Sequence, residues 1–386
     1  MKSLSSRAER LRQGAIRAMF DKAATMEHVI SMGIGEPDMV TPKAICEVGS
    51  KALQDGKTHY TPNAGTLLCR KAVSECGDIK DLEYDPASEI IITPGGMGAL
   101  SLFLSVIIDQ GDEVLIQDPQ WLNYASQVQF FGGNPVMVPV KAADGFVLKA
   151  DELEKKITEK TKLIMLNSPN NPTGCIIPIT ELKKIAELAK RYDLFVVSDE
   201  VYNSLYYSEK PISISTLPGM KERTVVINSL SKAFAMTGWR LGYAAGPASI
   251  ISKMTMAQEN ISACANSVAQ EAAIYALHHP ELTEQIRTVF AKRRKLVLEA
   301  INKIEGIFCY EPQGAFYLFP DISSFGMSSM DFCNSLLEKA HVVCIPGSAF
   351  GACGEGHIRM AYTCNEADLM EGIQRIQQFC DYLRRR

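Results

Sequence analysis

Short runs of apolar residues recur through the middle of the chain and alternate with segments of helical period. Within each run consecutive positions are mostly apolar and often β-branched, as expected for strands that are covered on both faces. The predicted strands are residues 89–93, 113–117, 163–167, 195–198, 224–227 and 241–245. Because helical segments lie between them, the pattern indicates βαβ units and predicts a mostly parallel α/β sheet.

The helical pattern is clearest at residues 179–191, where Leu182, Ile185 and Leu188 fall on one face. Thr180 has a side chain suited to the N-cap of this helix. Residues 98–108 form a second predicted helix, directly after the first predicted strand.

The two ends of the chain have a different pattern. The N-terminal 45 residues begin with a helix-like segment and continue into a loop rich in Gly and Pro. From residue 281 the pattern predicts a long charged helix at 281–304 and strands at 315–319 and 357–363. We therefore expect a large α/β domain at 46–280 and a smaller α+β domain built from residues 1–45 and 281–386.

Composition narrows the classes of protein and partner. The 386 residues carry a net charge of -4, so no broad basic surface is expected to attract nucleic acid. No uninterrupted apolar run is long enough to span a bilayer, and residues 1–7 lack the apolar stretch of a signal peptide. The 11 cysteines form no C-x-x-C pair, which favours reduced thiols in a cytoplasmic protein and argues against a metal site.

Unusual side chains follow several predicted strands, at the edge where open α/β sheets bind ligands. Residues 93–98 read Thr-Pro-Gly-Gly-Met-Gly, and the glycines could present backbone N–H groups to an anion. It is neither a G-x-G-x-x-G nor a Walker motif, and an unliganded tight turn is an equally good interpretation. Ser229 and Arg240 flank a later strand end, and both residue types bind phosphate well.

Other strand ends carry groups suited to a flat, charged ring. Trp121 could stack on such a ring, although an ordinary packed aromatic is the simpler interpretation. Asp199 follows an apolar strand, so its carboxylate is expected to be buried and to need a cap or a cationic partner. Lys232 lies among small and apolar residues, where desolvation favours the neutral amine that forms imines. Asn171 is fixed in a loop that two prolines and a glycine make rigid.

Three segments together resemble the signatures of the class I/II pyridoxal-phosphate-dependent aminotransferase family, of fold type I. Residues 229–243 read Ser-Leu-Ser-Lys-Ala-Phe-Ala-Met-Thr-Gly-Trp-Arg-Leu-Gly-Tyr. Residues 168–174 read Ser-Pro-Asn-Asn-Pro-Thr-Gly, and residues 198–202 read Ser-Asp-Glu-Val-Tyr. The resemblance covers nearly the whole chain and implies a mostly parallel, seven-stranded sheet beside a smaller domain.

The resemblance implies roles around a pyridoxal 5′-phosphate ring. Lys232 would bind the cofactor as an imine and then carry the proton between the substrate Cα and the cofactor. Asp199 would pair with the pyridine nitrogen, and Trp121 would lie against the ring face. Asn171 and Tyr202 would donate hydrogen bonds to the ring oxygen.

The resemblance also implies how the phosphate is held. The backbone amides of Gly96 and Met97, together with Ser229 and Arg240, would bind it. Tyr60 matches the tyrosine that reaches the phosphate from the neighbouring subunit, which implies a homodimer with shared active sites.

The substrate carboxylate is the third group with implied partners. Arg359 matches the arginine that binds the α-carboxylate, and its guanidinium suits a bidentate contact. Asn171 and Gly35 would lie near the same carboxylate, with the Gly35 loop able to close over the substrate.

The implied activity is ping-pong transfer of an amino group from an α-amino acid to a 2-oxo acid such as 2-oxoglutarate. Met97 occupies a position where some aspartate-active relatives carry lysine, and Ile16, Phe20 and Phe316 could form an apolar wall. We therefore expect aspartate or aromatic donors. A carbon–sulfur β-lyase of the same fold is the nearest alternative, and a non-catalytic binding protein is a more distant one.

Overall fold

A computed structural model of the chain describes residue 5 and residues 15–385, with side chains at residue 5 and from residue 19 onward. The strands, in chain order, are β1 (Ile30–Ser31), β2 (Ile90–Thr93), β3 (Glu113–Asp118), β4 (Asn134–Pro139), β5 (Thr161–Asn167), β6 (Phe195–Asp199), β7 (Thr224–Ser229), β8 (Gly242–Ala245), β9 (Tyr317–Leu318), β10 (Val342–Val343), β11 (Ile345–Pro346) and β12 (Ile358–Ala361).

The helices begin with a short N-terminal one and end with two long ones. They are α1 (Ala15–Ala23), α2 (Lys43–Gln54), α3 (Leu67–Cys76), α4 (Gly95–Ile107), α5 (Asn123–Phe130), α6 (Ala150–Glu154), α7 (Ile179–Arg191), α8 (Leu230–Ala233), α9 (Ala248–Ile261), α10 (Ser267–His278), α11 (Pro280–Ile301), α12 (Ser329–Ala340) and α13 (Glu366–Arg384). Within residues 5 and 15–385, none of the helices is long and apolar enough to cross a membrane.

Seven strands form the central sheet, in the order β2-β8-β7-β6-β5-β3-β4. All neighbouring pairs are parallel except those of β8, which is antiparallel to both β2 and β7. Because both β2 and β7 are antiparallel to β8, they run in the same direction as each other. The predicted fold class, a mostly parallel seven-stranded α/β sheet, is confirmed.

The central sheet is covered on both faces, which explains the continuous apolar runs. One face packs Leu115, Ile164 and Val196 against the inner side of α7. The other face packs Ile116 and Val197 against α4. Both layers are fully buried, so each strand residue contributes to a core regardless of the side toward which it points.

Three details differ from the sequence-based expectation. β4 was not predicted, because this edge strand contains two prolines and is only partly buried, unlike its neighbours. The predicted bounds of α7, residues 179–191, are confirmed, but Thr180 is not its N-cap, because Pro178 occupies the cap position without a side-chain bond. A helix beginning at residue 98 was predicted, but α4 begins at Gly95, which brings the two glycines into its first turn.

A second hydrophobic cluster, here named the terminal core, joins the two ends of the chain. It packs Ile30 and Met32 against Phe290, Phe332 and many residues between 286 and 380. Two small sheets lie beside it: β1 pairs with β10, and β12 pairs with both β11 and β9. This arrangement places β12, which carries Arg359, next to the segment that follows β1.

Candidate active site

A cavity of about 430 Å³ opens where the carboxyl ends of β2, β3, β5, β6 and β7 meet. Its volume is typical of pockets for small molecules and cofactors. All of the predicted site residues except Tyr60 line it, namely Gly35, Gly96, Met97, Trp121, Asn171, Asp199, Tyr202, Ser229, Lys232, Arg240 and Arg359. The fold therefore collects residues that are spread over more than 300 positions of the sequence.

Lys232 lies on α8, the short helix that follows β7. Its Nζ donates a hydrogen bond of 2.6 Å to the carbonyl of Gly35. Burial lowers the pKa of Lys232 to about 8; Glu36 opposes this shift, whereas the charges of Arg359 and Arg240 add to it. A large fraction of the amine is therefore neutral near pH 8, and the neutral amine is the nucleophilic form.

The segment 33–41 connects the terminal core with residues 234–241, the loop that follows α8 and is here named the lysine loop. The Thr237 hydroxyl donates to the carboxylate of Glu36, and the Trp239 Nε1 donates to the Thr41 hydroxyl over 3.0 Å. On the other side, the same segment is joined to β12 through Gly33, whose carbonyl accepts from Arg359. This segment therefore forms one wall of the cavity and holds both sides of it together.

Asp199 ends β6 with its carboxylate buried, at 6% exposure. Tyr124, on α5, donates a hydrogen bond of 2.6 Å to this carboxylate, and the backbone N–H of Val201 donates another over 3.2 Å. Burial raises the pKa of Asp199 to about 6 despite these two donors. The Trp121 ring meets Tyr124 edge to face, with centroids 5.2 Å apart, and so fixes the tyrosine that holds the carboxylate.

The N-terminus of α4 forms the opposite end of the cavity floor. Gly95 has a φ of +76°, and a Cβ at that position would lie only 2.7 Å from Nη2 of Arg240. Glycine therefore allows the guanidinium to pack against the first turn of the helix. Gly96 and Met97 follow in that turn, where backbone N–H groups have no partner within the helix. A helix N-terminus beside an arginine is a favourable site for an anion.

Two serines complete this end of the cavity. Ser229 is the N-cap of α8, and its hydroxyl accepts a hydrogen bond of 3.2 Å from the backbone N–H of Ser231. The two side-chain oxygens lie 2.9 Å apart. Both residues line the cavity, so their hydroxyl groups add neutral donors to the charge of Arg240.

Arg359 lies on β12, at the side of the cavity nearest the terminal core. Its Nη1 donates to the Asn171 side-chain oxygen over 3.0 Å, and its Nη2 donates to the Gly33 carbonyl over 2.6 Å. The guanidinium lies against two rings, with its Cζ 4.5 Å from the centroid of Tyr317 and 4.8 Å from that of Phe350. The buried Nε has no partner, and a buried donor without one is expected to bind a ligand or water.

Tyr202 forms a pair with a second tyrosine rather than standing alone. The two hydroxyl oxygens of Tyr202 and Tyr317 are 2.8 Å apart, and both rings are buried. A Cβ on Gly35 would lie 2.2 Å from the Tyr317 hydroxyl, so only glycine fits at that position. The pair therefore connects the Gly35 loop with the wall of the cavity near Asp199.

The charges that line the cavity comprise three cations and two carboxylates. The cations are Lys232, Arg240 and Arg359, and the carboxylates are Asp199 and Glu36. The positive excess favours anionic ligands. Within the part of the chain that the structure describes, no group of three or more His, Cys, Asp or Glu side chains is arranged to hold a metal ion.

The prediction about Tyr60 and the prediction of an apolar wall have different outcomes. Tyr60 lies outside the cavity and is 89% exposed, so it contributes nothing to the site of its own chain. Phe20 lines the cavity as expected, but Phe316 is fully buried in the terminal core, and the side chain of Ile16 lies outside the described residues.

The contributors that the sequence analysis missed include Tyr124, Ser231, Tyr317 and Phe350. Tyr124 lies only three residues beyond Trp121, so the proximity of two aromatic residues after a strand was an available signal. Tyr317 and Phe350 act through contacts with Arg359, which is distant in sequence, and their local sequence carries no comparable signal.

Comparisons with known proteins agree with this geometry. The model of the family "Aminotransferase class I and II" matches residues 27–376. The chain is 42% identical to an aspartate aminotransferase of Pyrococcus abyssi, over 97% of this chain and 98% of that one. It is 41% identical to aromatic-amino-acid aminotransferase 2 of Thermococcus litoralis, with the same coverage. The crystal structure of an aromatic aminotransferase from Pyrococcus horikoshii superposes with a TM-score of 0.90 at 40% identity, covering 94% of this chain and 99% of that one.

Proposed function

We propose that this chain, which belongs to the class I and II aminotransferase family and is an amino-group-transferring enzyme, carries out that reaction with pyridoxal 5′-phosphate held in the cavity described above. The observation that carries the proposal is the pairing, in one cavity, of a buried amine and a buried carboxylate whose pKa values are shifted toward neutrality. Such pairs are typical of sites for proton transfer. Because the relatives named above are aminotransferases, the lyase alternative is not favoured.

The phosphate of the cofactor would be held at the N-terminus of α4. A set of donors that fits a dianion lies here: the guanidinium of Arg240 and the hydroxyl groups of Ser229 and Ser231. Gly95 leaves space beside them because it has no Cβ. Gly96 and Met97 would contribute backbone N–H groups. These contacts fix one end of a flat ligand and so determine where its ring lies.

The ring end of the cofactor would be held by Asp199. Burial raises the pKa of Asp199 to about 6 and so favours its protonated form. An adjacent cation would stabilise the charged carboxylate, and a protonated ring nitrogen would supply that cation. Tyr124 and the backbone of Val201 hold the carboxylate in position. When bound, the cofactor would supply an electron-withdrawing ring that stabilises negative charge on the substrate Cα. Trp121 would pack against the ring face.

Lys232 would hold the cofactor covalently and then transfer protons. Its Nζ, once displaced by the substrate amine, is a base near the reacting carbon, and the pKa of about 8 suits both uptake and release of a proton near neutral pH. The adjacent Gly35 carbonyl accepts from this amine and so limits the directions in which it can point. The second half of a ping-pong reaction would use the same amine in reverse.

Arg359 would bind the substrate carboxylate. It is a buried, permanently charged fork with one unpartnered N–H, and a carboxylate would satisfy that donor and neutralise the charge. Asn171 and Gly35 lie at the same end of the cavity. The Tyr202–Tyr317 pair would lie between this end and the ring, which supports a hydrogen bond from Tyr202 to the ring oxygen.

The donor would be an aromatic amino acid or aspartate, with 2-oxoglutarate as a suitable acceptor. Phe20, Ile34, Met97 and Leu122 give the cavity an apolar wall, which supports a flat apolar side chain. The printed names of two similar proteins, an aromatic-amino-acid and an aspartate aminotransferase, support these two classes.

A homodimer with shared sites would complete the cavity. Tyr60 lies on the loop 57–66, which Gln258 and Gln270 fasten to α9 and α10. Several large apolar side chains are exposed around this loop and the adjacent helices, namely Val40, Leu53, Leu67, Leu68, Met256 and Ile261. An exposed apolar surface of this kind supports an interface, with Tyr60 directed toward the partner's phosphate site.

The chain would divide into a large domain at 46–280 and a small domain at 1–45 and 281–386. The central sheet lies within residues 90–245, whereas the terminal core draws its residues mainly from the two ends, which supports this division. A cytoplasmic location is supported by the 11 cysteines, all of which are free.

Absorbance spectroscopy tests the function directly. The cofactor-loaded protein is mixed with one amino acid and no oxo acid, and the cofactor spectrum, the oxo acid and ammonia are measured. We expect one oxo acid per site, a shift of the cofactor absorbance to shorter wavelength and no ammonia. Release of pyruvate and ammonia would indicate the lyase instead. Borohydride reduction followed by peptide mapping should place the cofactor on Lys232, and a label on another lysine would overturn the assignment.

A further inference from the structure

The carboxylate of Asp118 lies outside the cavity, at the end of β3, yet it contacts a loop that supports the cavity. This loop, residues 347–354, connects β11 with β12. Asp118 is 4% exposed, and its Oδ1 accepts a hydrogen bond of 3.2 Å from the backbone N–H of Cys353. The contact therefore joins the central sheet to the chain segment that leads into the strand of Arg359.

The space around this carboxylate depends on a glycine. Gly351 has a φ of +134°, and a Cβ built on it would lie 1.9 Å from Oδ1 of Asp118 and 2.6 Å from its Cγ. Any larger residue at 351 would therefore displace the carboxylate or the loop. The close approach of Gly351 and the hydrogen bond of Cys353 are two separate contacts that fix the same carboxylate.

The loop 347–354 also carries the ring that packs against Arg359, at the substrate end of the cavity. The backbone N–H of Gln120, two residues after Asp118, donates to the carbonyl of Phe350 over 2.8 Å. Phe350 is 1% exposed, and its ring centroid lies 4.8 Å from Cζ of Arg359. Phe350 is therefore one of the groups that hold the guanidinium, together with the Tyr317 ring and the hydrogen bonds to Asn171 and Gly33.

We propose that Asp118 is a positioning residue for substrate binding: by holding the loop 347–354 against the end of β3, it keeps Phe350 stacked on Arg359 and the guanidinium aligned with the substrate carboxylate. The proposal rests on the proposed role of Arg359. Asp118 touches neither the cavity nor Lys232, so its effect on the reaction passes through the geometry of the arginine.

Steady-state kinetics of the cofactor-loaded enzyme separate this role from a general loss of structure. We expect Asp118→Ala and Gly351→Ala to raise KM for the amino acid and for the oxo acid by about three- to thirtyfold, while kcat changes much less. Asp118→Asn keeps a side-chain oxygen that can accept from Cys353, so it should restore much of the affinity. The pH dependence of the cofactor absorbance should be unchanged in all three variants.

Asp112→Asn is the matched control, because Asp112 precedes the other end of β3 and pairs with Lys162 at the surface. Its KM should equal that of the wild type. Unchanged KM values in both Gly351→Ala and a folded Asp118→Ala would overturn the proposal, as would a fall in kcat at constant KM. If Asp118→Ala does not fold, an unchanged KM in Gly351→Ala overturns the proposal by itself.

Arg359→Lys distinguishes this proposal from the proposed function. If this variant binds substrates as well as the wild type, the role of Arg359 is wrong, and the Asp118 proposal fails with it. If Arg359→Lys loses affinity while the Asp118 and Gly351 variants do not, only the positioning role is wrong.

Discussion

The two ends of the cavity hold their charges in opposite ways. At the ring end, Asp199 and Lys232 are buried with pKa values moved to about 6 and about 8, so both can change charge near neutral pH. At the other end, Arg359 is buried against two rings and retains its charge throughout that range. Under the proposed roles, the contrast teaches that burial serves proton transfer at one end and fixed ion pairing at the other.

The largest expected effect is at the ring end. Lys232→Ala removes the amine that we propose binds the cofactor and moves the proton, and we expect turnover to fall by at least about 10⁴-fold. The cofactor should still bind without a covalent bond, because the proposed phosphate contacts remain. Stopped-flow absorbance after addition of an amino acid measures the loss. Lys183→Ala, at an exposed position on α7, is the control, and normal turnover in Lys232→Ala would remove the lysine from the mechanism.

Loss of the fixed charge should affect binding more than rate. Arg359→Ala leaves the substrate carboxylate without its partner, and we expect kcat/KM to fall by about 30- to 1,000-fold, mainly through KM. Initial rates at varied amino-acid concentration measure this. Arg191→Ala removes an exposed arginine of α7 and should have no effect. A large fall in kcat at unchanged KM would contradict the division of roles between the two ends.

The protonation state of Lys232 should change the rate of cofactor attachment by about one order of magnitude per pH unit. Because only the neutral amine attacks the cofactor, the rate of cofactor attachment to the cofactor-free protein should rise about tenfold per unit below pH 8 and level off above it. Arg359 lowers this pKa, so Arg359→Gln should move the plateau to higher pH. The rate is followed by absorbance, and a rise that continues to pH 10 would show that burial does not shift this amine.

The smallest effect is expected at the support of Asp199. Tyr124→Phe removes one donor to the carboxylate, so the pKa of Asp199 should rise further and its charged fraction should fall. We expect kcat to decrease by about three- to tenfold, more at pH 6 than at pH 8. Tyr192→Phe, at a tyrosine 41% exposed, is the control. An equal effect at both pH values would mean that Tyr124 acts on packing and not on the charge.

Local pattern was sufficient for most of the fold. Six strands of the central sheet are continuous apolar runs, and their sequence predicts them within a few residues. The edge strand β4 was missed because an edge position tolerates prolines and partial exposure, which weaken the pattern. The bounds of α7 were predicted correctly, but its N-cap was misplaced at Thr180 because a favourable cap residue also occurs inside the first turn.

The candidate site was predictable where a residue follows a strand and unpredictable where it acts through packing. Asp199, Asn171 and Lys232 were found because strand ends meet at one edge of the sheet. Phe350 was missed because its contact with Arg359 depends on the antiparallel pairing of β11 with β12 and on the loop between them. Such a contact follows from the assembled fold, not from its local sequence.

The positions of the two tryptophans have an optical consequence. Trp121 lines the cavity, and Trp239 is bonded to Thr41 in the segment that joins the lysine loop to the terminal core. All indole fluorescence of the protein therefore originates from the cavity wall and from the loop that follows α8. Quenching or a spectral shift on adding an amino acid reports on this region alone, without an engineered label, and Trp121→Phe leaves Trp239 as a single reporter of movement in the adjoining segment.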